Sequence, residues 1–277
     1  MSNIIYKKKL GQHILKNPGI IDSIIQKSRI KPTDTVLEIG GGTGNLTIKL
    51  LEASKKVLCY EKDPRMANEL IKRISSNKEY NNKFQLFVGD AIKADFPYFD
   101  MCVSNTPYKI SSPLIFKLLK YNFNRAVMMF QKEFAERLCA KVGTSSYCRL
   151  SVSVQILAKV DIIMKVNKNN FNPPPKVESA VVKIELRHPR PPIDLEEFNK
   201  LLRVCFLRKN KTLSGIFKNK SNLNGFLIEN CDSNEIQETV ISVLEKSGFS
   251  DKRASKMDID DFLLLLLELK KQNINFK

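Results

Sequence analysis

Between Thr35 and Val142, short β-branched apolar runs alternate with segments whose apolar residues return every three or four positions. "TVLEIG" (Thr35 to Gly40) reads as a buried strand and "NLTIKLLEA" (Asn45 to Ala53) as the helix after it. "KVLCYE" (Lys56 to Glu61) is a second strand, and "PRMANELIKRIS" a second helix opened by Pro64. "FQLFVGD" and "FDMCVSN" supply strands three and four. "SPLIFKLLKY" is the next helix, and "RAVMMFQ" (Arg125 to Gln131) a fifth strand that runs into "KEFAERLCAKV". Such alternation predicts an α/β fold: a mostly parallel sheet with helices on both faces.

The pattern changes after Val142. "CRLSVSVQILAKV" (Cys148 to Val160) reads as helix and "VESAVVKIEL" (Val177 to Leu186) as a late strand. Between them "FNPPPK" excludes helix and holds an extended path. "RHPRPPIDL" is a second proline-rich break, beyond which "LEEFNKLLRVCFLRK", "NEIQETVISVLEKSG" and "DIDDFLLLLLELKK" all carry helical patterns. Two domains are expected, over residues 1–187 and 188–277, the second small and all-α.

In open α/β sheets ligands bind beyond the carboxyl ends of the strands. The first such end carries Glu38, then Gly40, Gly41, Gly42 and Gly44, followed by a helix N-terminus. The second carries Glu61, whose carboxylate can accept both hydroxyls of a ribose. The third carries Asp90, which can accept from an exocyclic amine. This set suits NAD or S-adenosylmethionine. The glycine spacing is GxGxG where dinucleotide folds show GxGxxG, and no GxxxxGK is present, so adenosylmethionine is preferred.

The fourth strand end, Asn105-Thr106-Pro107-Tyr108, has no role in hydride transfer. It suits an adenine amino group, a poor nucleophile because its lone pair is delocalised into the ring. The Asn105 side-chain oxygen and a main-chain carbonyl at Thr106 or Pro107 can accept its hydrogens and stabilise the positive charge developing on nitrogen. Tyr108 offers a face for the base. Taken singly, each residue has a packing explanation: a turn, a cap, a solvated strand end. Together, at successive strand ends, they describe a site.

Composition adds direction. Lys+Arg 46 against Asp+Glu 29 gives a net charge of +17, which favours a polyanionic partner. Seven basic residues and no acid lie between Lys200 and Lys220: Lys200, Arg203, Arg208, Lys209, Lys211, Lys218 and Lys220. The six cysteines are scattered without a CxxC pair, so neither a metal site nor a disulfide framework is expected. "FLLLLLEL" is too short to span a bilayer, and a soluble intracellular protein is expected.

With these residues in view, the chain resembles the ribosomal RNA adenine dimethyltransferases (the KsgA family), in their eukaryotic and archaeal branch. "GQHILKNP", "VLEIGGGTGN", "YEKDP", "GDA", "SNTPYKISSP", "NNFNPPPKVESAVV", "FLRKNKTL" and "GFSDKRASKMDIDDF" carry the likeness. It implies a Rossmann-like class I methyltransferase sheet plus a helical RNA-binding domain. Gln12 is implied at the amino-acid end of S-adenosylmethionine, Gly40 and Gly42 at its backbone-facing side, Glu61 at the ribose, Asp90 and Ala91 at the adenine. His13, Ile14, Leu15, Glu38, Gly44, Lys62 and Asn105 complete the implied cofactor set, with no catalytic part for His13. Asn105, Thr106, Pro107 and Tyr108 would hold the target base, with Phe171 as a second stacking ring; by chemistry alone Phe171 reads as core. Lys7, Lys8, Lys9, Lys176, Arg208, Lys209 and Lys211 would grip RNA phosphates. The family usually has Leu or Val at Thr106, and often Pro or Ala at Gly41. The implied reaction dimethylates two adjacent adenosines in a small-subunit rRNA hairpin, on a pre-ribosomal particle, by a monomer that is nucleolar in a eukaryote. The rivals are a methyltransferase of large-subunit RNA, an assembly or transcription factor that keeps the pocket but acts by binding, and a protein-glutamine methyltransferase.

Overall fold

The computed structural model describes residues 13–223, 226–227 and 233–276. Gln12 and the Lys7 to Lys9 run therefore lie outside the described residues. The chain divides into two compact units, one formed by residues up to Glu136 with Ala158–His188, the other by Arg137–Leu157 with the chain from Pro189 onward. The hydropathy pattern assigns all of 137–157 to the first domain; its packing belongs to the second unit.

Seven strands build the sheet of the first unit: β1 (Thr35–Ile39), β2 (Lys56–Glu61), β3 (Phe84–Val88), β4 (Met101–Asn105), β5 (Arg125–Gln131), β6 (Ala158–Val166) and β7 (Ser179–Leu186). Their order is β3-β2-β1-β4-β5-β7-β6, with β7 antiparallel to both its neighbours. β1 pairs with β2 on one side and β4 on the other, so the strand order reverses beside β1. The loops after β1 and β4 therefore open at a topological switch point.

Local sequence explains the entries to the helices. α1 (Pro18–Ser28) starts where the Asn17 side chain accepts from the Gly19 amide, with Pro18 at the first helical position. α2 (Asn45–Ala53) follows β1 and buries Leu46, Thr47, Leu50 and Leu51. α3 (Pro64–Ser75) is capped by Asp63, whose carboxylate accepts from the Arg65 amide. It turns Met66, Ala67, Leu70 and Ile74 inward. α4 (Lys78–Lys83) precedes β3, and α5 (Ser111–Leu118) follows β4 after a 3-10 turn at Tyr108–Ile110. α6 (Lys132–Leu138) carries the chain from the first unit into the second.

One element departs from the sequence reading. Cys148 to Val160 is not one helix: α7 (Arg149–Gln155) ends early and β6 begins at Ala158. The apolar run fits either period, and antiparallel pairing with β7 decides for strand, with a bulge between Ile162 and Met164.

In the second unit α8 (Leu195–Cys205) buries Phe198, Leu201, Leu202 and Cys205. α9 (Leu213–Phe217), α10 (Ser233–Lys246) and α11 (Ile259–Lys271) are its further helices, and Phe226–Leu227 pairs antiparallel with Asn275–Phe276, so the unit is not purely helical as expected. α11 starts with a capping box in which the Asp258 carboxylate accepts from the Asp261 amide and the Asp261 carboxylate from the Asp258 amide. Its leucine run is amphipathic: Leu265, Leu266 and Leu269 are buried while Leu264 and Leu267 face solvent. Among the described residues no helix is long and apolar enough to cross a membrane.

Candidate active site

A cavity of about 210 Å³ opens at the carboxyl ends of β1 to β4. Its wall is drawn from His13 and Ile14, the Gly40 to Gly42 turn, Glu61 and Lys62, Asp90 and Ala91, and Asn105 to Ile110. Separate stretches of sequence are thus brought to one place.

The glycine turn makes room for it. Gly40 and Gly42 have φ of 82° and 57°, in the left-handed region. A Cβ at Gly40 would lie 3.1 Å from Pro107 Cγ, and one at Gly42 only 2.9 Å from Ile14 Cδ1. Gly41 is close for another reason: a Cβ there would fall 2.6 Å from Cys59 Sγ. The backbone of this turn is bare where it meets the space in front of β1.

Two acids lie beneath and beside the turn. Glu61 is 7% exposed and accepts from the Gly42 amide at 3.0 Å and the Asp63 amide at 2.9 Å. Burial raises its pKa, and those amides pull it back only in part. Glu38 is 1% exposed and lies outside the cavity wall. Burial pushes its pKa from 4.5 up to about 7, against the opposing pull of the neighbouring Thr47 hydroxyl and Cys59 thiol. Glu38 is therefore an interior residue behind the cavity wall.

Asp90 lies two residues beyond β3 with its Oδ2 on Lys62 Nζ at 2.8 Å and its Oδ1 accepting from the Ile92 amide at 3.0 Å. The Lys62 ammonium holds its pKa below the ordinary carboxylate value. Asp90 both caps its own turn and faces the cavity.

At β4 the amide of Asn105 is oriented by its neighbour: Nδ2 donates to the His13 carbonyl at 3.0 Å. A carbonyl only accepts, so the nitrogen must face His13 and Oδ1 is the acceptor left beside the cavity. The Pro107 carbonyl accepts from the Ile110 amide at 3.0 Å. The Thr106 side chain is 1% exposed, and its hydroxyl is buried without a partner. Tyr108 shares a 2.5 Å hydrogen bond with Ser179 Oγ, and burial raises its pKa.

Not every implied position reaches the cavity wall. Phe171 is 1% exposed, packed in the core cluster with Leu15 and Val166, and takes no part in the cavity wall. Its backbone pairs with Leu15, which carries its ring into the core. His13, given no catalytic part from sequence, supplies the ring that meets Tyr108, at 5.6 Å between centroids and 27° between planes. Its Nδ1 donates to the Pro173 carbonyl at 2.8 Å. Leu15 is likewise core, and Gly44 caps α2 away from the cavity. Sequence reasoning also missed Lys117 on α5, whose ammonium binds carbonyls of the turn after β3. No motif announces such an interaction.

The expected RNA-binding cations are unevenly placed. Arg208, Lys211 and Arg253 line an open depression of about 550 Å³ in the second unit, and Arg208 and Lys211 are exposed. Lys209 shares this wall, but its ammonium donates to the Ser145 carbonyl at 2.7 Å and the Tyr147 carbonyl at 3.0 Å. It is a loop clamp. Lys200 pairs with Glu196 at 3.1 Å, and Lys176 in the first unit is exposed. Among the described residues no group of three or more His, Cys, Asp or Glu is placed to hold a metal ion.

This sheet order, with a glycine turn after β1 and acids at the end of β2 and just beyond β3, is that of class I methyltransferases. Within that class the chain is matched over residues 4–238 by the model of the family described as ribosomal RNA adenine dimethylase. A "probable dimethyladenosine transferase" of Dictyostelium discoideum is 54% identical, over 98% of this chain and 90% of that protein. A dimethyladenosine transferase structure from Plasmodium falciparum superposes with a TM-score of 0.83 at 45% identity, covering 96% of this chain and 100% of that one. The 23S rRNA methyltransferase ErmE gives a TM-score of 0.65 at 25% identity, over 93% of this chain and 99% of its own. The chain belongs to the ribosomal RNA adenine dimethylase family, and its activity is that of an rRNA adenine dimethyltransferase.

Proposed function

We propose that the chain uses S-adenosylmethionine to dimethylate the N6 amino groups of two adjacent adenosines in a 3′-terminal hairpin of small-subunit rRNA, each base flipped into the cavity in turn. Support for the donor comes from the bare glycine turn, where a Cβ at Gly40 or Gly42 would obstruct Pro107 or Ile14. Glu61 would hold the ribose, and Asp90 with Ala91 the adenine. When bound, this donor supplies an electrophilic methyl group on a sulfonium.

The chain's own work is on the acceptor. The observation that carries the reading is the orientation of Asn105, whose nitrogen is spent on His13 and whose oxygen remains for the N6 hydrogens. That oxygen and a main-chain carbonyl at Thr106 or Pro107 draw on the amine's protons, favour a tetrahedral nitrogen and stabilise the charge developing on it. A methylated ammonium is acidic enough to release its proton to water. Stacking on Tyr108 contributes about 1–3 kcal/mol to holding the base.

Arg208 and Lys211 would grip phosphates, as would Lys176 in its own unit. A pre-ribosomal particle is the expected substrate, placing a eukaryotic enzyme in the nucleolus or, for late particles, the cytoplasm. The test incubates the protein and labelled methyl donor separately with immature small and large subunits and maps the modified nucleotides. Label on two neighbouring adenosines of the small subunit is expected. Label on the large subunit, or binding without label, refutes the proposal.

A further inference from the structure

Lys117 lies on α5, beyond the Asn105–Tyr108 turn, yet its ammonium reaches back to the segment that follows β3. Nζ donates to the Ala91 carbonyl at 2.8 Å and the Ile92 carbonyl at 3.1 Å, and also to that of Ala94. An ammonium has three N–H groups, and three carbonyls take them. The same nitrogen sits 4.3 Å from the centroid of the Phe96 ring. Burial lowers its pKa, against the pull of Asp95 and Asp90.

The anchored segment matters because of what it presents. Asp90 through Ala94 form a tight turn in which the Lys93 and Ala94 amides donate to the Asp90 carbonyl. Asp90 and Ala91 face the cavity from this turn, Ala91 only 5% exposed. Tyr60 Oη donates to the Asp95 carbonyl at 2.8 Å, and Tyr121 Oη accepts from the Phe96 amide at 3.1 Å, so the far end is held as well. Lys117 is the element that ties the near end to the helix leaving the Asn105–Tyr108 turn.

We propose that Lys117 is a positioning residue for the methyl donor's nucleobase, fixing Asp90 and Ala91 in place through their own turn and locking that pocket to the helix behind the acceptor turn. The inference rests on the adenosylmethionine reading above. With its three donors spent, Lys117 takes no part in phosphate binding.

Calorimetry with S-adenosylhomocysteine and with 5′-methylthioadenosine, which keeps the adenosine but lacks the amino-acid end, tests it. Lys117→Met weakens both by the same factor, about tenfold for the loss of these hydrogen bonds on a half-buried turn. At saturating donor, kcat for RNA methylation stays within about twofold of wild type, while KM for the donor rises. Lys117→Gln, which keeps one amide donor, falls between and guards against a Met variant that does not fold. Unchanged affinity for both ligands in a folded variant overturns the inference. So does weakening confined to S-adenosylhomocysteine, or a loss in kcat without a change in affinity. Failure of the wild-type protein to bind either ligand overturns the donor reading itself, and this inference with it.

Discussion

The side chain of Asn105 and the main chain of His13 meet across 92 residues of sequence, Nδ2 donating to the carbonyl at 3.0 Å. The consequence is chemical. One end of the amide is fixed as donor towards the protein, so the other is presented as an acceptor beside the cavity. Asn105→Ala removes that acceptor. It should lower kcat by at least about 10²–10³-fold, the cost of losing one preorganised hydrogen-bonding group at a developing charge. Affinity for S-adenosylhomocysteine should change less than about threefold, measured by calorimetry. Turnover within tenfold of wild type would remove Asn105 from the chemistry.

Thr106 carries a hydroxyl that the fold does not use. It is buried and unpartnered. Thr106→Val keeps the shape and removes the unsatisfied group. Urea unfolding should show a gain of about 1 kcal/mol, with methylation rate unchanged within about twofold because the turn contributes its backbone. A loss of stability would mean that the hydroxyl has a partner.

Glu38 makes stability depend on pH in the opposite sense to a salt-bridged carboxylate. Its folded pKa is raised, from 4.5 to about 7. Across that window the unfolded chain has lost the proton and the folded chain keeps it, so stability falls as pH rises. Above the window the folded protein holds a buried charge. Glu38→Gln removes the titration. Relative to wild type it should gain on the order of 2–3 kcal/mol between about pH 5 and pH 8. Parallel stability curves for the two proteins would show that Glu38 is already ionised at the lower pH.

The basic stretch separates into two kinds of lysine and arginine. Charge reversal at Arg208 and Lys211 should weaken RNA binding and reduce the slope of log affinity against log salt by about one for each phosphate no longer neutralised. Thermal stability should hardly move. Lys209→Met should do the reverse, lowering the melting temperature of the second unit because the Ser145 and Tyr147 carbonyls lose their donor. Filter binding over a salt series and thermal melts distinguish them; equal effects would dissolve the distinction.

The short chemistry-bearing motifs and the first five strands are legible in the amino-acid order because they depend on local physics. Alternating β-branched runs, glycines that allow positive φ and an Asn beside a Pro act within a few residues. On that basis Gly40, Glu61, Asp90, Asn105 and Tyr108 are assigned to one crevice by their order along the chain alone. What the tertiary structure decided depends on partners distant in the chain. Ala158 became strand because β7 offered an edge, and Phe171 went to the core because Leu15 pairs with its backbone. Lys209 was spent on two carbonyls that sequence places more than sixty residues away. Lys117 found its three in the same manner. Hydrogen bonds between remote residues leave no period and no motif, so only the folded chain could disclose them.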